Sequence, residues 1–350
     1  MINLYDLSKS ELENQMKAWG QPKFRAEQLY NWLYEHRVAS FEEMTNLPKA
    51  LRERLSNEAV LGTLRTVTEQ RSTDGTVKRV YALPDGKLIE AVLMTYEDGR
   101  KTTCISTQAG CAMGCVFCAT GQMGFMRHLT TTEVFEQAMI FARELASEGE
   151  RLSNVVLMGM GEPFHNYDAS VASVRRLMSD LGIGARRITV STVGLVPQIR
   201  QFADENWEVG LAISLHAADD QTRGDLLPVN KRWNLDELLE ACRYYVDKTS
   251  RRVTFEWALI HGETDTVEQA QALGRLLQGM LCHVNAIPLN PTSGYAGSPS
   301  EVEAADKFVE VLTNYGVSAT VRVRRGIDID AGCGQLTTKF MDPDSIPTLS

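Results

Sequence analysis

The sequence predicts an α/β protein in which a small helical module and a β-extension precede a curved sheet or partial barrel of parallel strands. Up to about residue 60 the pattern is that of short capped helices, and from about residue 64 to 94 polar and apolar residues alternate as in strands. Beyond about residue 100, short apolar runs alternate with amphipathic helical stretches. Long alternation of this kind favours parallel β/α units.

The N-terminal module is predicted from helix start and stop signals. Ser8 and Glu11 form a capping box ahead of an amphipathic run, and Gly20 ends that run. A second helix is predicted over about residues 25–36. A third begins near Pro48, because proline suits the first turn of a helix. We assign residues 1–60 to this module.

The β-extension is predicted over residues 61–96, with hairpin turns at Asp74-Gly75 and Asp85-Gly86. Residues 97–336 form the larger domain, and the polar residues 337–350 form a loose tail. The larger domain contains six predicted parallel strands, at Thr102–Thr107, Asn154–Met158, Arg187–Ser191, Val209–Ser214, Val253–Leu259 and His283–Leu289.

The composition is that of a globular enzyme in a reducing compartment. Of the 350 residues 43% are hydrophobic and 23% charged, and no apolar run reaches the roughly 18 residues of a membrane span. The polar N-terminus lacks the apolar centre of a secretory signal. The seven cysteines, four of them isolated, do not form a disulfide framework. We expect a cytoplasmic protein that does not associate with membranes.

The formal net charge of −9 disfavours a nucleic-acid partner, because such proteins usually carry a basic surface. Small basic clusters nevertheless occur, at Arg186-Arg187, Lys231-Arg232, Arg251-Arg252 and Arg322 with Arg324-Arg325. Any one such cluster is more often a solvated surface than a binding site. The net charge therefore does not decide the partner.

The most informative motif joins Cys111, Cys115 and Cys118 in a Cx3Cx2C spacing after the first predicted strand of the larger domain. A zinc site would need a fourth ligand from elsewhere, and zinc cysteines are usually separated by two residues. An Fe–S cluster held by three cysteines instead keeps one iron open for a small chelating molecule. The spacing favours the cluster.

Loops that follow the predicted strands form a second pattern. The loop Gly159-Met-Gly-Glu-Pro163 contains glycines that let a ligand approach the backbone, and its carboxylate suits an ammonium group. Ligands of parallel sheets bind at the carboxyl ends of the strands, where all these loops meet. The other loops begin at Ser191, Ser214 and Asn290.

Both motifs resemble those of the radical S-adenosylmethionine (SAM) superfamily, whose cluster motif carries an aromatic residue, here Phe117, before its last cysteine. The loop at Gly159 resembles the GGEP-type motif of that superfamily. The resemblance implies a partial (β/α)6 radical SAM barrel, a [4Fe–4S] cluster on the three motif cysteines, and SAM bound to the open iron.

Over nearly the whole chain the sequence resembles the dual-specificity adenine-C2 RNA methyltransferases of bacterial ribosomal and transfer RNA. The most specific segment is GxDIDAxCGQL at Gly326–Leu336. The resemblance implies methylation of C2 in adenosine 2503 of 23S rRNA and adenosine 37 of tRNAs, and an N-terminal module that binds RNA. The other matching segments are Phe24–Tyr30, Leu47–Lys49, Cys104–Leu129, Met158–Tyr167, Ile188–Pro197 and Leu211–Ala217.

The resemblance also implies a role for each site residue, with two SAM molecules used per reaction. One SAM methylates Cys333, and a second supplies the radical that activates this methyl group for addition to C2. Cys104 releases the product by forming a disulfide with Cys333, and Glu90 is the proton acceptor. A flavodoxin-type protein donates the electron. The implied SAM contacts are Gly161, Glu162, Ser191, Ser214, Leu215, His216 and Asn290.

Two alternatives remain open in the sequence. A sister family with the same two cysteines methylates C8 of the same ribosomal adenosine, although Pro163 and Asn166 follow the pattern of the C2 group. A non-catalytic Fe–S or zinc protein that binds RNA would not cleave SAM. For the isolated Cys242 and Cys282 we expect buried, apolar positions.

Overall fold

A ten-stranded sheet runs through the computed structural model, which describes residues 1–338. Two short two-stranded sheets accompany it. The predicted tail, residues 337–350, lies almost entirely outside the described residues. The strands are β1 (Ile2–Asn3), β2 (Ala59–Val60), β3 (Arg65–Arg71), β4 (Val77–Ala82), β5 (Leu88–Thr95), β6 (Lys101–Cys104), β7 (Gln108–Gly110), β8 (Phe125–His128), β9 (Asn154–Leu157), β10 (Ile188–Thr192), β11 (Gly210–Ser214), β12 (Val253–Leu259), β13 (Cys282–Pro288) and β14 (Ala319–Val321). The helices are α1 (Lys9–Ala18), α2 (Phe24–Tyr34), α3 (Lys49–Glu58), α4 (Ala119–Met123), α5 (Thr131–Ser147), α6 (Tyr167–Ser179), α7 (Val196–Asp204), α8 (Asp220–Leu226), α9 (Leu235–Thr249), α10 (Val267–Leu277) and α11 (Val302–Asn314).

The large sheet has the order β14-β13-β12-β11-β10-β9-β6-β5-β4-β3. From β6 through β14 every neighbouring pair is parallel, and helices connect these strands as in a β/α partial barrel. The six predicted parallel strands correspond to β6 and β9 to β13. The seventh, β14, was not predicted. The α/β fold predicted from the alternating pattern is confirmed.

The β-extension belongs to the same sheet as the barrel strands. Strands β3, β4 and β5 pair antiparallel, and β5 continues onto β6 with Val92 opposite Cys104. The turns at Asp74-Gly75 and Asp85-Gly86 join these strands as predicted. The extension therefore holds its side chains at a fixed register beside the first barrel strand.

The N-terminal module contains the three predicted helices, and Ser8 caps the first of them with the predicted capping box. The module packs against α5 and α6. The Tyr5 ring meets Phe135 edge-on at 6.1 Å, and Arg176 donates from Nη1 to the Tyr5 carbonyl oxygen at 2.7 Å. The Glu136 carboxylate accepts hydrogen bonds from the backbone at residues 63 and 64. These partly buried contacts fix the module, and the chain segment that follows it, against the barrel helices.

An apolar core lies between the sheet and the helices that cover it. Strands β9 to β13 contribute buried Val, Leu, Ile, Phe and Trp side chains, as expected for parallel strands covered on both faces. Within residues 1–338 no helix is both long enough and apolar enough to cross a membrane.

Candidate active site

One cavity lies at the carboxyl ends of the parallel strands, and all but two of the predicted site residues line it. The cysteine loop, which follows β7, meets there with the loops after β9, β10, β11 and β13. The predicted residues that line it are Cys104, Cys111, Cys115, Cys118, Gly161, Glu162, Ser191, Ser214, His216, Asn290 and Cys333.

The three motif cysteines lie on a loop that leads into α4. The Cys118 backbone N–H donates to the Cys115 carbonyl oxygen at 3.2 Å, so the loop turns tightly between the two thiols. A Cβ atom at Gly121 would lie 2.9 Å from the Cys115 carbonyl oxygen, which only glycine avoids. The Phe117 ring meets the His216 imidazole edge-on at 5.0 Å. Packing therefore presents the loop to the cavity.

These cysteines fit a multi-iron cluster better than a single metal ion. In a [4Fe–4S] cluster each thiolate binds a different iron, so the sulfurs need not converge on one point. Among residues 1–338 no three Cys, His, Asp or Glu side chains converge closely enough to hold one ion, as zinc would require. Burial raises the pKa of the Cys111 thiol to about 12, and the pKa of Cys115 well above its usual value. A bound metal centre would lower these pKa values again, because its positive charge stabilises the thiolates.

The loop after β9 carries Gly161 and Glu162. Gly161 has φ +99°, and a Cβ there would lie 2.5 Å from the Cβ of Gln108. The Glu162 carboxylate accepts backbone hydrogen bonds from Phe164 at 2.9 Å and from Val193 at 2.8 Å. Its side chain therefore joins two loops, whereas the sequence suggested a carboxylate free for an ammonium group. Burial raises the pKa of Glu162 to about 7.

The loop after β11 holds His216 in an unusual backbone conformation. Its φ of +62° lies in the left-handed region, which strains a residue other than glycine. The Ala258 backbone N–H donates to His216 Nδ1 at 2.9 Å, so the neutral ring carries its proton on Nε2. Burial, assisted by the Arg223 charge, lowers the pKa of His216 to about 3. The imidazole is therefore neutral at physiological pH.

Two further cysteines line the cavity and come from different segments of the chain. Cys104 ends β6, and Cys333 lies in the loop that follows a short 3-10 helix at Ile327–Ile329. Cys333 is exposed to the cavity, and both thiols are unpaired. Burial raises the pKa of Cys104 to about 12, and the neighbouring Cys333 adds to this rise. Although Cys333 is open to the cavity, the surrounding protein still desolvates its sulfur and raises the pKa, while the Arg322 guanidinium opposes the rise.

Two predicted site residues lie outside the cavity. Glu90 lies within β5, and it is only 3% exposed. Its carboxylate lines a separate polar cavity. The Leu215 side chain is fully buried, and its backbone N–H donates to the Glu256 carbonyl oxygen at 3.0 Å. Cys242 and Cys282 are buried, as expected for small apolar side chains.

The cavity also contains an ion pair that the sequence did not predict. Arg322 Nη1 lies 4.0 Å from Glu256 Oε2, and Asn285 donates to Glu256 Oε1 at 3.0 Å. Glu256 Oε2 has no hydrogen-bond partner in the structure. Arg322 appeared in the sequence only as one member of a basic cluster, and Glu256 only as part of an apolar strand. The only feature of the sequence that could have suggested this pair is the opposite charge of the two side chains.

Comparisons with known proteins agree with this architecture. Residues 2–61 match the ribosomal RNA large subunit methyltransferase N-terminal domain, and residues 105–273 match the radical SAM superfamily. The crystal structure of a radical SAM methyltransferase from Sphaerobacter thermophilus superposes with a TM-score of 0.91, is 48% identical, and covers 96% of this chain and 99% of its own.

Full-length relatives extend the comparison to named enzymes. The dual-specificity RNA methyltransferase RlmN 1 of Myxococcus xanthus is 52% identical over 99% of this chain and 98% of its own length. A probable dual-specificity RNA methyltransferase RlmN of Halalkalibacterium halodurans is 47% identical over 96% of this chain and 93% of its own length. Their identity and coverage leave no other assignment: the chain belongs to the RlmN family of dual-specificity RNA methyltransferases, within the radical SAM superfamily.

Proposed function

We propose that the chain methylates C2 of adenosine in ribosomal and transfer RNA, through a methyl group carried on Cys333. The observation that carries this proposal is that Cys104 and Cys333 open into the same cavity as the three cluster cysteines. Chemistry that ends at SAM cleavage has no need of this second pair of thiols. A radical route also suits C2 of adenine, which is neither nucleophilic nor acidic.

The cofactors of this enzyme are a [4Fe–4S] cluster and SAM, as in the superfamily to which the chain belongs. Cys111, Cys115 and Cys118 would hold the cluster. Gly161 would let SAM approach the backbone closely, and Ser191, Ser214 and Asn290 offer polar groups around it. When bound, the cluster and SAM would supply a 5′-deoxyadenosyl radical, and the methyl group on Cys333 would be its hydrogen-atom donor.

The first step needs a nucleophilic sulfur at Cys333. The thiolate attacks the methyl carbon of SAM, S-adenosylhomocysteine leaves, and the thiol proton passes to solvent. Desolvation raises the pKa of the Cys333 thiol, and the Arg322 cation opposes that rise, so Arg322 makes the reactive thiolate easier to form than it would be without this charge. Cys333 is open to the cavity and can therefore reach a bound SAM.

Release of the product depends on Cys104. After the carbon radical on Cys333 has added to C2, RNA and protein are covalently joined. The C2 proton would then pass to solvent, and one electron would pass from the adduct to the oxidised cluster. The Cys104 sulfur then attacks the Cys333 sulfur and the S–C bond breaks. The carbon keeps the electron pair and takes a proton, which leaves methylated RNA and a Cys104–Cys333 disulfide.

The partners follow from the same proposal. The N-terminal module would bind RNA, and Arg324 and Arg325 at the mouth of the cavity would attract its phosphates. The target adenosine would be unstacked to enter the cavity. A flavodoxin-type protein in the cytoplasm would supply the electron.

The test is anaerobic reconstitution of the purified protein with iron, sulfide, a reductant, SAM and an RNA fragment. We expect formation of 5′-deoxyadenosine and of 2-methyladenosine, resolved from 8-methyladenosine by mass spectrometry of the digested RNA. Appearance of 8-methyladenosine would favour the sister activity. A protein that binds RNA and forms no 5′-deoxyadenosine would contradict the proposal as a whole.

A further inference from the structure

The loop that carries Cys333, residues 326–337, is held by hydrogen bonds to three other segments. From the cluster loop, Ala119 N–H donates to the Gly334 carbonyl oxygen at 2.7 Å. From the end of β13, Asn290 donates from Nδ2 to the Cys333 carbonyl oxygen at 3.0 Å. From the β-extension, Ser72 donates to Asp328 Oδ1 at 2.6 Å. These contacts fix the backbone on either side of the reactive sulfur.

Glu90 and Lys78 add a charged pair to this set. Glu90 Oε2 accepts a hydrogen bond from the Thr337 backbone N–H at 2.9 Å, four residues after Cys333. Lys78 Nζ lies 3.8 Å from Glu90 Oε1 and donates to the Asp330 carbonyl oxygen at 3.3 Å, three residues before Cys333. One ion pair therefore holds both flanks of the loop.

The register of the β-extension sets the position of this pair. Glu90 on β5 is opposite Val80 on β4, so Lys78, two residues before Val80, projects from the same face of the sheet. Both side chains are almost fully buried. A buried ion pair contributes little net stability, because the desolvation of both charges offsets their attraction. The position of this ion pair is better explained by its contacts with the two ends of the Cys333 loop.

The loop lines two cavities at once. Cys333 opens into the main cavity with Leu336, whereas Glu90 and Lys78 line a second, polar cavity together with Asp330 and Thr337. Glu90 is absent from the residues that line the main cavity. Its carboxylate is already engaged by the Thr337 N–H and Lys78. In this arrangement it does not face the space that a target adenine would enter.

We propose that Glu90 and Lys78 are positioning residues that latch the Cys333 loop, so that the Cys333 sulfur is aligned with the methyl group of SAM. This inference rests on the proposed function and assigns Glu90 a role different from the proton acceptor implied by family resemblance. The latch acts before RNA binds, since methylation of Cys333 requires only SAM. A proton acceptor for the RNA adduct would act only after RNA has been joined to the protein.

The test compares E90A, E90Q and K78M with the unmodified protein, and uses E144A as a matched control. Glu144 pairs with Arg79, the neighbour of Lys78 on β4, and makes no contact with the loop that the structure shows. Two quantities are measured on the reconstituted full-length protein without RNA. They are the single-turnover rate of Cys333 methylation, from peptide mass spectrometry, and the rate of amide hydrogen exchange in residues 326–337.

We expect E90A and K78M to slow Cys333 methylation on the order of tenfold to 100-fold, because small misplacements of a nucleophile are costly. The same variants should speed exchange of the loop amides several-fold, while the Kd for SAM stays within about twofold of the unmodified value. E90Q keeps a side-chain oxygen that accepts from Thr337 and should recover most of the rate. E144A should match the unmodified protein in both measurements.

The proposal is overturned if E90A methylates Cys333 at the unmodified rate with unchanged loop exchange and stalls only when RNA is added. That outcome is the one a proton acceptor predicts. If the unmodified protein does not methylate Cys333, the proposed function fails. The hydrogen-exchange rates of the loop amides then show by themselves whether Glu90 and Lys78 hold the loop. If E90A does not fold, E90Q and K78M decide it, since unchanged loop exchange in K78M contradicts the latch.

Discussion

Asn290 Nδ2 donates a hydrogen bond to the Cys333 carbonyl oxygen at 3.0 Å, and this contact joins the end of β13 to the loop that carries the reactive thiol. The other side-chain atom, Asn290 Oδ1, is buried and has no partner in the structure. Asn290 also lines the main cavity. A ligand that donates to Oδ1 would therefore be bound by the same side chain that positions Cys333.

We predict that N290A weakens both SAM binding and Cys333 methylation. Loss of one hydrogen bond to a ligand and one to the loop costs on the order of 1 kcal/mol each, which corresponds to a several-fold change in each quantity. Titration calorimetry with SAM and the single-turnover methylation rate measure the two effects separately. Unchanged SAM affinity in N290A would remove Asn290 from the SAM site.

Substitution of the two cavity cysteines should stop the reaction at different stages. C333A has no sulfur to carry the methyl group, so RNA methylation should fall below detection while SAM is still cleaved. C104A should accumulate a covalent RNA–protein adduct, visible as a shifted band in denaturing gels, because the thiol that breaks the S–C bond is missing. C242A, which replaces a buried cysteine outside the cavity, serves as the control. Full turnover by C104A without an adduct would exclude its role in release.

The close approach at Gly161 predicts a cost for any side chain there. G161A places a Cβ 2.5 Å from the Gln108 Cβ and requires a φ of +99°. We expect a loss of about 1 to 3 kcal/mol in the free energy of unfolding, measured by chemical denaturation, together with weaker SAM binding. G149A, at an exposed turn with no atom near the new Cβ, provides a comparison in which only the backbone term contributes.

The buried neutral imidazole of His216 predicts acid sensitivity. The pKa of His216 is lowered to about 3 in the folded protein. As the pH falls below about 6.5, the imidazole is therefore protonated in the unfolded chain but stays neutral in the folded one. Stability from this residue is present above pH 6.5 and is lost as the pH falls towards 3. Between pH 7 and 4.5 the free energy of unfolding should fall about 2 to 3 kcal/mol more in the unmodified protein than in H216N. Parallel pH profiles for the two proteins would contradict the assignment.

Much of the site was predictable from short-range patterns in the sequence. The spacing of Cys111, Cys115 and Cys118 and the alternation of strands with helices placed the cluster loop at the carboxyl end of the sheet, as the structure has it. The sequence also predicted that the loops at Ser191 and Ser214 lie close together, because consecutive β/α units bring the carboxyl ends of their strands to one edge of the sheet.

The parts that were missed depend on contacts between distant segments. Glu90 is buried by a loop 247 positions away along the chain, which no local pattern around β5 reveals. The Glu162 carboxylate is engaged by the Val193 N–H from the next loop, 31 positions away. Leu215 is adjacent in sequence to Ser214 and His216, but its side chain points into the core. Position within a motif therefore predicted which segments form the site, but not which side chains face the ligand.

In the proposed reaction, Cys333 carries the methyl group from SAM to RNA. The most direct measurement uses SAM with a fully deuterated methyl group and follows the label by mass spectrometry on the Cys333 peptide and on the digested RNA. We predict a trideuterated methyl on Cys333 and a methyladenosine that keeps two of the three deuterium atoms, because one is removed as the radical forms. A trideuterated methyladenosine, or RNA methylation with Cys333 never labelled, would contradict it.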